Sequence, residues 1–112
     1  MIATMDDPER QPILSLVEWP AEGLSLADAR RMAAETSAAF RMVPGLLAFR
    51  FFGDFETGTH YYLQVWQDRA ALEAYAASES MFRIREIAQP FVTGRPSRRI
   101  FVDYSDPIEA AG

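Results

Sequence analysis

The 112-residue sequence predicts an α+β domain of the ferredoxin-like, split βαβ type, with a four-stranded antiparallel sheet carrying its helices on one face. Three observations carry this. Apolar and aromatic runs of strand length alternate with stretches of helical period in the order β-α-β-β-α-β. Two of those runs flank a short Gly-containing turn, Glu56-Thr57-Gly58, as a hairpin requires. The length suits a single domain, 1–112, around one core.

The first residues are polar and include Pro8 and Pro12, so 1–12 read as a loose arm. Ile13 to Trp19 is an apolar run closed by Pro20, a first strand followed by the loop Pro20-Ala21-Glu22-Gly23. Ser25, with Asp28 three positions on, has the spacing of a capping box. From there Ala29, Met32, Ala33, Thr36, Phe40 and Val43 recur at helical spacing as one buried stripe, and Arg30, Arg31, Glu35 and Arg41 fall off it. Pro44-Gly45 stops this helix, since proline blocks continuation and glycine accepts left-handed geometry. Leu46 to Phe55 and Thr59 to Trp66 are the second and third strands. Asp68 is placed to cap a helix bearing Leu72, Tyr75 and Ala76. Ser78 or Ser80 restarts a helical stretch with Met81, Phe82, Ile84 and Ile87, ended at Pro90. A loop with Gly94 and Pro96 leads to a last strand at about Arg98 to Tyr104, and 107–112 read as a loose tail.

Strand 2 alternates Leu47, Phe49 and Phe51 with Ala48, Arg50 and Phe52, so both of its faces are substantially apolar. Helices cover one face of such a sheet, and the other should not stand bare in water. A second copy is the simplest cover, which predicts a homodimer.

Composition excludes several function classes. Hydrophobic residues are 49% and charged residues 24%, an ordinary globular profile. A net charge of −5 argues against a nucleic-acid partner, and the arginines at 95, 98 and 99 read as a solvated loop cluster. No apolar run is long enough to cross a membrane and the N-terminus has no signal-like pattern, which places the protein in the cytoplasm. There is no Cys, no Lys and no Asn, and one His. Thiol chemistry, Schiff-base lysines and a structural zinc centre are thereby excluded, and no Gly-rich phosphate loop occurs, so no cofactor or metal is expected.

Alternation along strand 3 puts His60, Tyr62, Gln64 and Trp66 on one face and Tyr61, Leu63 and Val65 on the other. The second set reads as plain core. The first combines aromatic surface with hydrogen-bonding tips, the make-up of a small-molecule pocket, although an aromatic stripe also serves simple packing. A buried mid-strand Gln64 needs partners. If Phe55 pairs with Thr59, Arg50 stands opposite Gln64 and Phe52 opposite Tyr62, joining the pocket, and Tyr75 closes it from the helix. A register shift of one residue would turn Arg50 to the other face. Arg83 and Arg85 read as surface residues.

The segments PGLLAFRFF, HYYLQVWQDRAALEAYAASESMFRIRE and RRIFVDYSDP together resemble the YdhR-type monooxygenases, within the dimeric α/β-barrel superfamily that includes the antibiotic-biosynthesis monooxygenases. The resemblance spans roughly residues 13 to 107. It implies a ferredoxin-like subunit whose sheet pairs with its twin's, and a ligand cavity between sheet and helices. It also implies a cofactor-independent oxygenase in which an electron-rich phenolic or polyketide-like substrate is deprotonated and reacts with oxygen. The strand-end Trp of the superfamily falls on Trp66. The Asn of the polyketide oxygenases has no counterpart, and residues 70 to 80 lack the helix His of the haem-degrading branch. Under this reading Trp66 and Phe52 stack on a planar substrate, and Gln64 and Tyr62 donate to its oxyanion. His60 then serves as general base and Arg50 as electrostatic stabiliser. Two other readings stay open: a non-catalytic small-molecule-binding accessory dimer, and a polyketide-cyclase-like isomerase.

Overall fold

The computed structural model describes residues 7–105; of the ends expected to be loose, 1–6 and 107–112 lie outside the described residues. Strand β1 is Ile13–Pro20, helix α1 Leu26–Phe40, β2 Leu46–Asp54, β3 Thr59–Trp66, α2 Arg69–Ala76, α3 Glu79–Ala88 and β4 Ser97–Val102. Short 3-10 turns stand at Pro8–Arg10 and Gln89–Phe91, so part of the expected arm is ordered, with the Asp7 carboxylate accepting from the Glu9 N–H at 2.9 Å. The strands form one antiparallel sheet in the order β2-β3-β1-β4, the arrangement of a split βαβ fold.

The caps form where the sequence places them. Ser25 Oγ accepts from the Asp28 N–H at 3.1 Å, and Asp68 Oδ1 from the Ala71 N–H at 2.9 Å. The second helical stretch is two helices because the Ser78 hydroxyl donates to the Tyr75 carbonyl at 2.7 Å, closing α2, and Ser78 then stands at the head of α3. Met32, Thr36, Phe40 and Val43 of the predicted α1 stripe are buried.

The hairpin departs from expectation by one residue. Its loop has four residues, 55–58, and Asp54 pairs with Thr59. Asp54 organises it: its carboxylate accepts from the N–H groups of Glu56 (2.9 Å) and Thr57 (3.3 Å), and its carbonyl from that of Gly58 (2.9 Å). Gly58, at φ +78°, supplies the left-handed turn. The register is therefore Phe51 opposite Tyr62 and Phe49 opposite Gln64, and Arg50 and Phe52 stand opposite Leu63 and Tyr61 on the other face.

The core lies between the helices and the face formed by Ile13, Ser15, Val17 and Trp19 of β1 with His60, Tyr62, Gln64 and Trp66 of β3. One cluster gathers Ile13, Phe40, Val43, Trp66, Leu72, Tyr75 and Ile84, and a second Val17, Trp19, Ala21 and Met32. Tyr61, Leu63 and Val65, expected as core, belong to the helix-free face and are only half-buried. They share it with Leu14, Leu16 and Phe52, and the Phe52 ring stacks on Tyr61 at 5.2 Å. No described helix is long and apolar enough to cross a membrane.

Candidate active site

The antiparallel registers align side chains from all four strands on the helix-covered face. Phe51, Tyr62, Val17 and Arg98 make one row across the sheet; Phe49, Gln64, Ser15 and Ile100 make the next. On the far side of the first row come Gly53, His60 and Trp19. Above the first row a cavity of about 480 Å³ opens between sheet and helices. Val17, Trp19, Phe51, Tyr62 and Arg98 form its floor. Met32 and Thr36 of α1, Tyr75 of α2, and Met81, Ile84 and Arg85 of α3 form its walls. Such a mainly apolar concavity with a few convergent polar groups suits a small planar ligand.

Its polar groups converge in a defined way. Arg98 is half-buried and donates from Nη1 to Gln64 Oε1 at 3.1 Å and to Ser15 Oγ. Gln64 Oε1 also accepts from the Trp66 indole N–H at 3.3 Å. Ser15, Gln64 and Trp66 are completely buried, so a hydrogen-bonded chain anchored in the core aims the Arg98 guanidinium. Burial pushes the Tyr62 phenol above its ordinary value, partly countered by the charges of Arg98 and Arg85. Burial, with Tyr62 alongside, pushes the Tyr75 phenol up further. Both are therefore protonated O–H groups at neutral pH, and among the described residues no Asp or Glu lines the cavity. Two guanidinium groups and two phenols facing apolar walls favour a ligand that carries negative charge on oxygen. Among the described residues no cluster of acidic or His side chains could hold a metal ion.

The structure disperses the residues singled out from sequence. Tyr62 and Tyr75 line the cavity. Gln64 and Trp66 lie beneath it, buried: Gln64 reaches it through Arg98, and the Trp66 ring packs on Tyr75 at 5.2 Å. His60 is one row further along, in an adjoining cavity of about 270 Å³. Its imidazole is pushed below the ordinary value by burial, with Asp54 opposing, and is neutral at pH 7. Arg50 and Phe52 are corrections: the four-residue hairpin loop turns both to the helix-free face, and neither lines the larger cavity. Phe51 takes the place assigned to Phe52, and Arg98 that assigned to Arg50.

Arg98 was the residue most hidden from sequence, because Arg95, Pro96 and Arg99 around it look like a solvated loop. The signal that finds it is strand parity: Arg98 pairs with Val17 across β1, and Val17 with Tyr62. Arg85 is exposed yet lines the cavity, since Met81, Ile84, Arg85 and Ala88 share one side of α3. Trp19 follows from its parity with Ile13 and Val17.

The sequence matches no protein-family model and no curated protein. Its fold is similar to that of SnoaB, a cofactor-independent oxygenase from Streptomyces nogalater, with a TM-score of 0.70 and 16% identity, covering 88% of this chain and 99% of that one. It is similar also to a Streptomyces coelicolor monooxygenase from the gene ActVA-Orf6, solved with the ligand nanaomycin D. There the TM-score is 0.70 and the identity 18%, covering 90% and 94% of the two chains. An antibiotic biosynthesis monooxygenase gives 0.66 and 18%, covering 83% and 99%. At these identities the likeness establishes the fold: an α+β ferredoxin-like domain of the kind found in these monooxygenases.

Proposed function

We propose that this protein is a cofactor-independent monooxygenase acting on a small aromatic or polyketide-like substrate, held as its anion between the sheet and the helices. The observation that carries this reading is the convergence of Arg98, Arg85, Tyr62 and Tyr75 in an otherwise apolar cavity with no lining carboxylate among the described residues. Arg98 and Arg85 favour the phenolate or enolate over its neutral acid and so raise the concentration of the electron-rich form. Tyr62 and Tyr75 donate O–H groups to oxygen atoms on which negative charge develops. Phe51, Val17, Met81 and Ile84 give the ring an apolar bed and exclude water.

In the simplest balanced reaction a CH₂ group flanked by phenolic rings loses a proton to water on binding, and the carbanion form reduces molecular oxygen. The C–O bond forms, and the remaining C–H bond is then lost as the O–O bond breaks. The product is a ketone with one oxygen atom, and the other leaves as water, so the substrate supplies all the electrons. His60 lies outside the larger cavity and is not required as the base in this scheme.

Membership of the YdhR-type branch and dimerisation through the helix-free face are part of the same proposal. Leu14, Leu16, Leu63, Val65 and Phe101 present a continuous apolar patch there, flanked by Arg50 and Arg99, which a second copy would cover. The test is oxygen uptake with dihydroxyanthrone as probe. Stoichiometric uptake that falls at least tenfold in Arg98→Met supports the reading. Binding without uptake favours a non-catalytic carrier, and conversion of the probe without uptake favours an isomerase.

A further inference from the structure

Besides Gln64 Nε2 under the larger cavity, two buried polar atoms among the described residues lack a partner, and both lie next to that cavity. Trp19 and His60 are cross-strand partners, their rings 5.4 Å apart, and each is only 4% exposed. Trp19 Nε1 and His60 Nε2 have no hydrogen-bond partner in the protein. Buried donors and acceptors are almost always satisfied, and two orphans on neighbouring residues of one cavity mark where a ligand's polar atom belongs. Both residues line the smaller cavity, together with Gly53, Phe55 and Arg30. That cavity adjoins the larger one: Trp19, Met32 and Phe51 line both.

The local backbone is shaped to hold His60 there. A Cβ built on Gly53 would stand 2.1 Å from His60 Nδ1, so only glycine lets β2 run this close to the imidazole edge. Phe55 packs edge-on against the other side of the ring at 4.8 Å. With the ring gripped and neutral, its Nε2 and the indole N–H form an uncharged pair. Arg30, an exposed side chain, is the one charged group among the described residues that line this smaller cavity.

We infer that the Trp19–His60 pair is a second subsite that hydrogen-bonds a carbonyl oxygen at the far end of a ligand anchored by Arg98. The inference rests on the proposed reading of the larger cavity as the seat of an aromatic anion. A carbonyl oxygen has two lone pairs, so it can accept from the indole N–H and from the imidazole in the tautomer that protonates Nε2. The spacing follows from the sheet. Val17 and Trp19, like Tyr62 and His60, are two residues apart along a strand, or about 7 Å at roughly 3.3–3.4 Å per residue. The subsite thus favours ligands with an anionic oxygen and a carbonyl separated by about two fused rings over those with the anion alone.

The test compares two tricyclic acids, anthraquinone-2-carboxylate and anthracene-2-carboxylate, which share skeleton and anion and differ in the ring carbonyls. Calorimetric affinities are measured for the wild type, Trp19→Phe, His60→Phe and Arg98→Met, with circular dichroism confirming that each variant is folded. The ratio of the two affinities cancels the common anchoring. The wild type should favour the quinone acid by about tenfold, and each single variant should cut that preference by roughly threefold or more, as loss of one hydrogen bond implies. His60→Phe keeps the ring and gives the answer even if Trp19→Phe unfolds. Arg98→Met should weaken both acids alike and leave the ratio intact. A preference that is absent in the wild type, or that survives in both ring variants, overturns the subsite; with Arg98→Met still weakening both acids, the larger cavity reading stands. Failure of both acids to bind the wild type overturns both.

Discussion

Replacing Gln64 by Leu separates the positioning of Arg98 from the stability of the core. The substitution removes the acceptor of both the Trp66 indole and the Arg98 guanidinium. Trp66 is completely buried, so its orphaned N–H costs about 1–3 kcal/mol. The same change deletes Gln64 Nε2, itself a buried atom without a partner in the protein, and recovers about 1–3 kcal/mol. The two effects offset one another. The melting temperature should stay within roughly 8 °C of wild type, given about 4–8 °C per kcal/mol for a domain of this size. Arg98 keeps Ser15 as a partner but loses the one that fixes its second direction. Affinity for anthracene-2-carboxylate should fall about tenfold, close to 1.4 kcal/mol, and affinity for neutral 2-methylanthracene should not change. Gln64→Glu retains an acceptor for both donors but neutralises Arg98, so it should weaken the acid still further. Differential scanning fluorimetry and calorimetry read the two effects separately. A Gln64→Leu protein that melts normally and binds the acid with wild-type affinity would refute the claim that Gln64 aims Arg98.

Ligand protonation is a second test: if the arginine pair favours the anion, calorimetry of a dihydroxyanthrone in buffers of different ionisation enthalpy should show net proton release on binding, much reduced in Arg98→Met. Because burial lowers the His60 pKa below its ordinary 6.5, the folded state binds fewer protons than the unfolded chain around that pH. His60 therefore contributes stability that is present above pH 6.5 and lost as pH falls through its folded value, so the melting temperature of wild type should drop more between pH 7.5 and 5.5 than that of His60→Phe. Gly53→Ala forces the His60 ring from its place and should destabilise by about 1–3 kcal/mol, readable as a lowered urea midpoint. If the proposed dimer forms, Leu63→Glu, at the middle of the helix-free face, should turn it into a folded monomer in sedimentation velocity; an unchanged sedimentation coefficient would remove that face as the interface.

Local signals were strong wherever one short-range interaction decides the outcome. Ser25 and Asp68 announce their helices because a side-chain oxygen three residues from an open N–H has one obvious use. Strand 3 was legible in bounds and in parity, since its period of two is uninterrupted from His60 to Trp66. What could not be read was the relation between strands. The pairing of β2 with β3 depends on whether Asp54 or Phe55 closes the hairpin, and that is settled by the hydrogen bonds of the Asp54 carboxylate. Arg98 was invisible for a related reason: its meaning comes from Ser15 and Gln64, 83 and 34 positions away. Of the residues that face the cavity, sequence found those on β3 and α2 and overlooked those whose neighbours come from elsewhere in the chain.

The placement of Arg50 has a consequence for how this fold avoids misassembly. β2 is an edge strand with apolar residues on both faces, a composition that tolerates sliding by one position. Such a slip would exchange Phe52 for Phe51, but it would set Asp54 against the His60 ring where only Gly53 fits, and it would drive Arg50 into the position of Phe49, whose ring packs edge-on against Phe40 at 5.1 Å. Phe40 is 1% exposed, and a guanidinium forced against it would lose its water without gaining a counter-ion. Arg50 is thus the sentinel of the hairpin: a charge kept outside so that the wrong alignment has nowhere to put it.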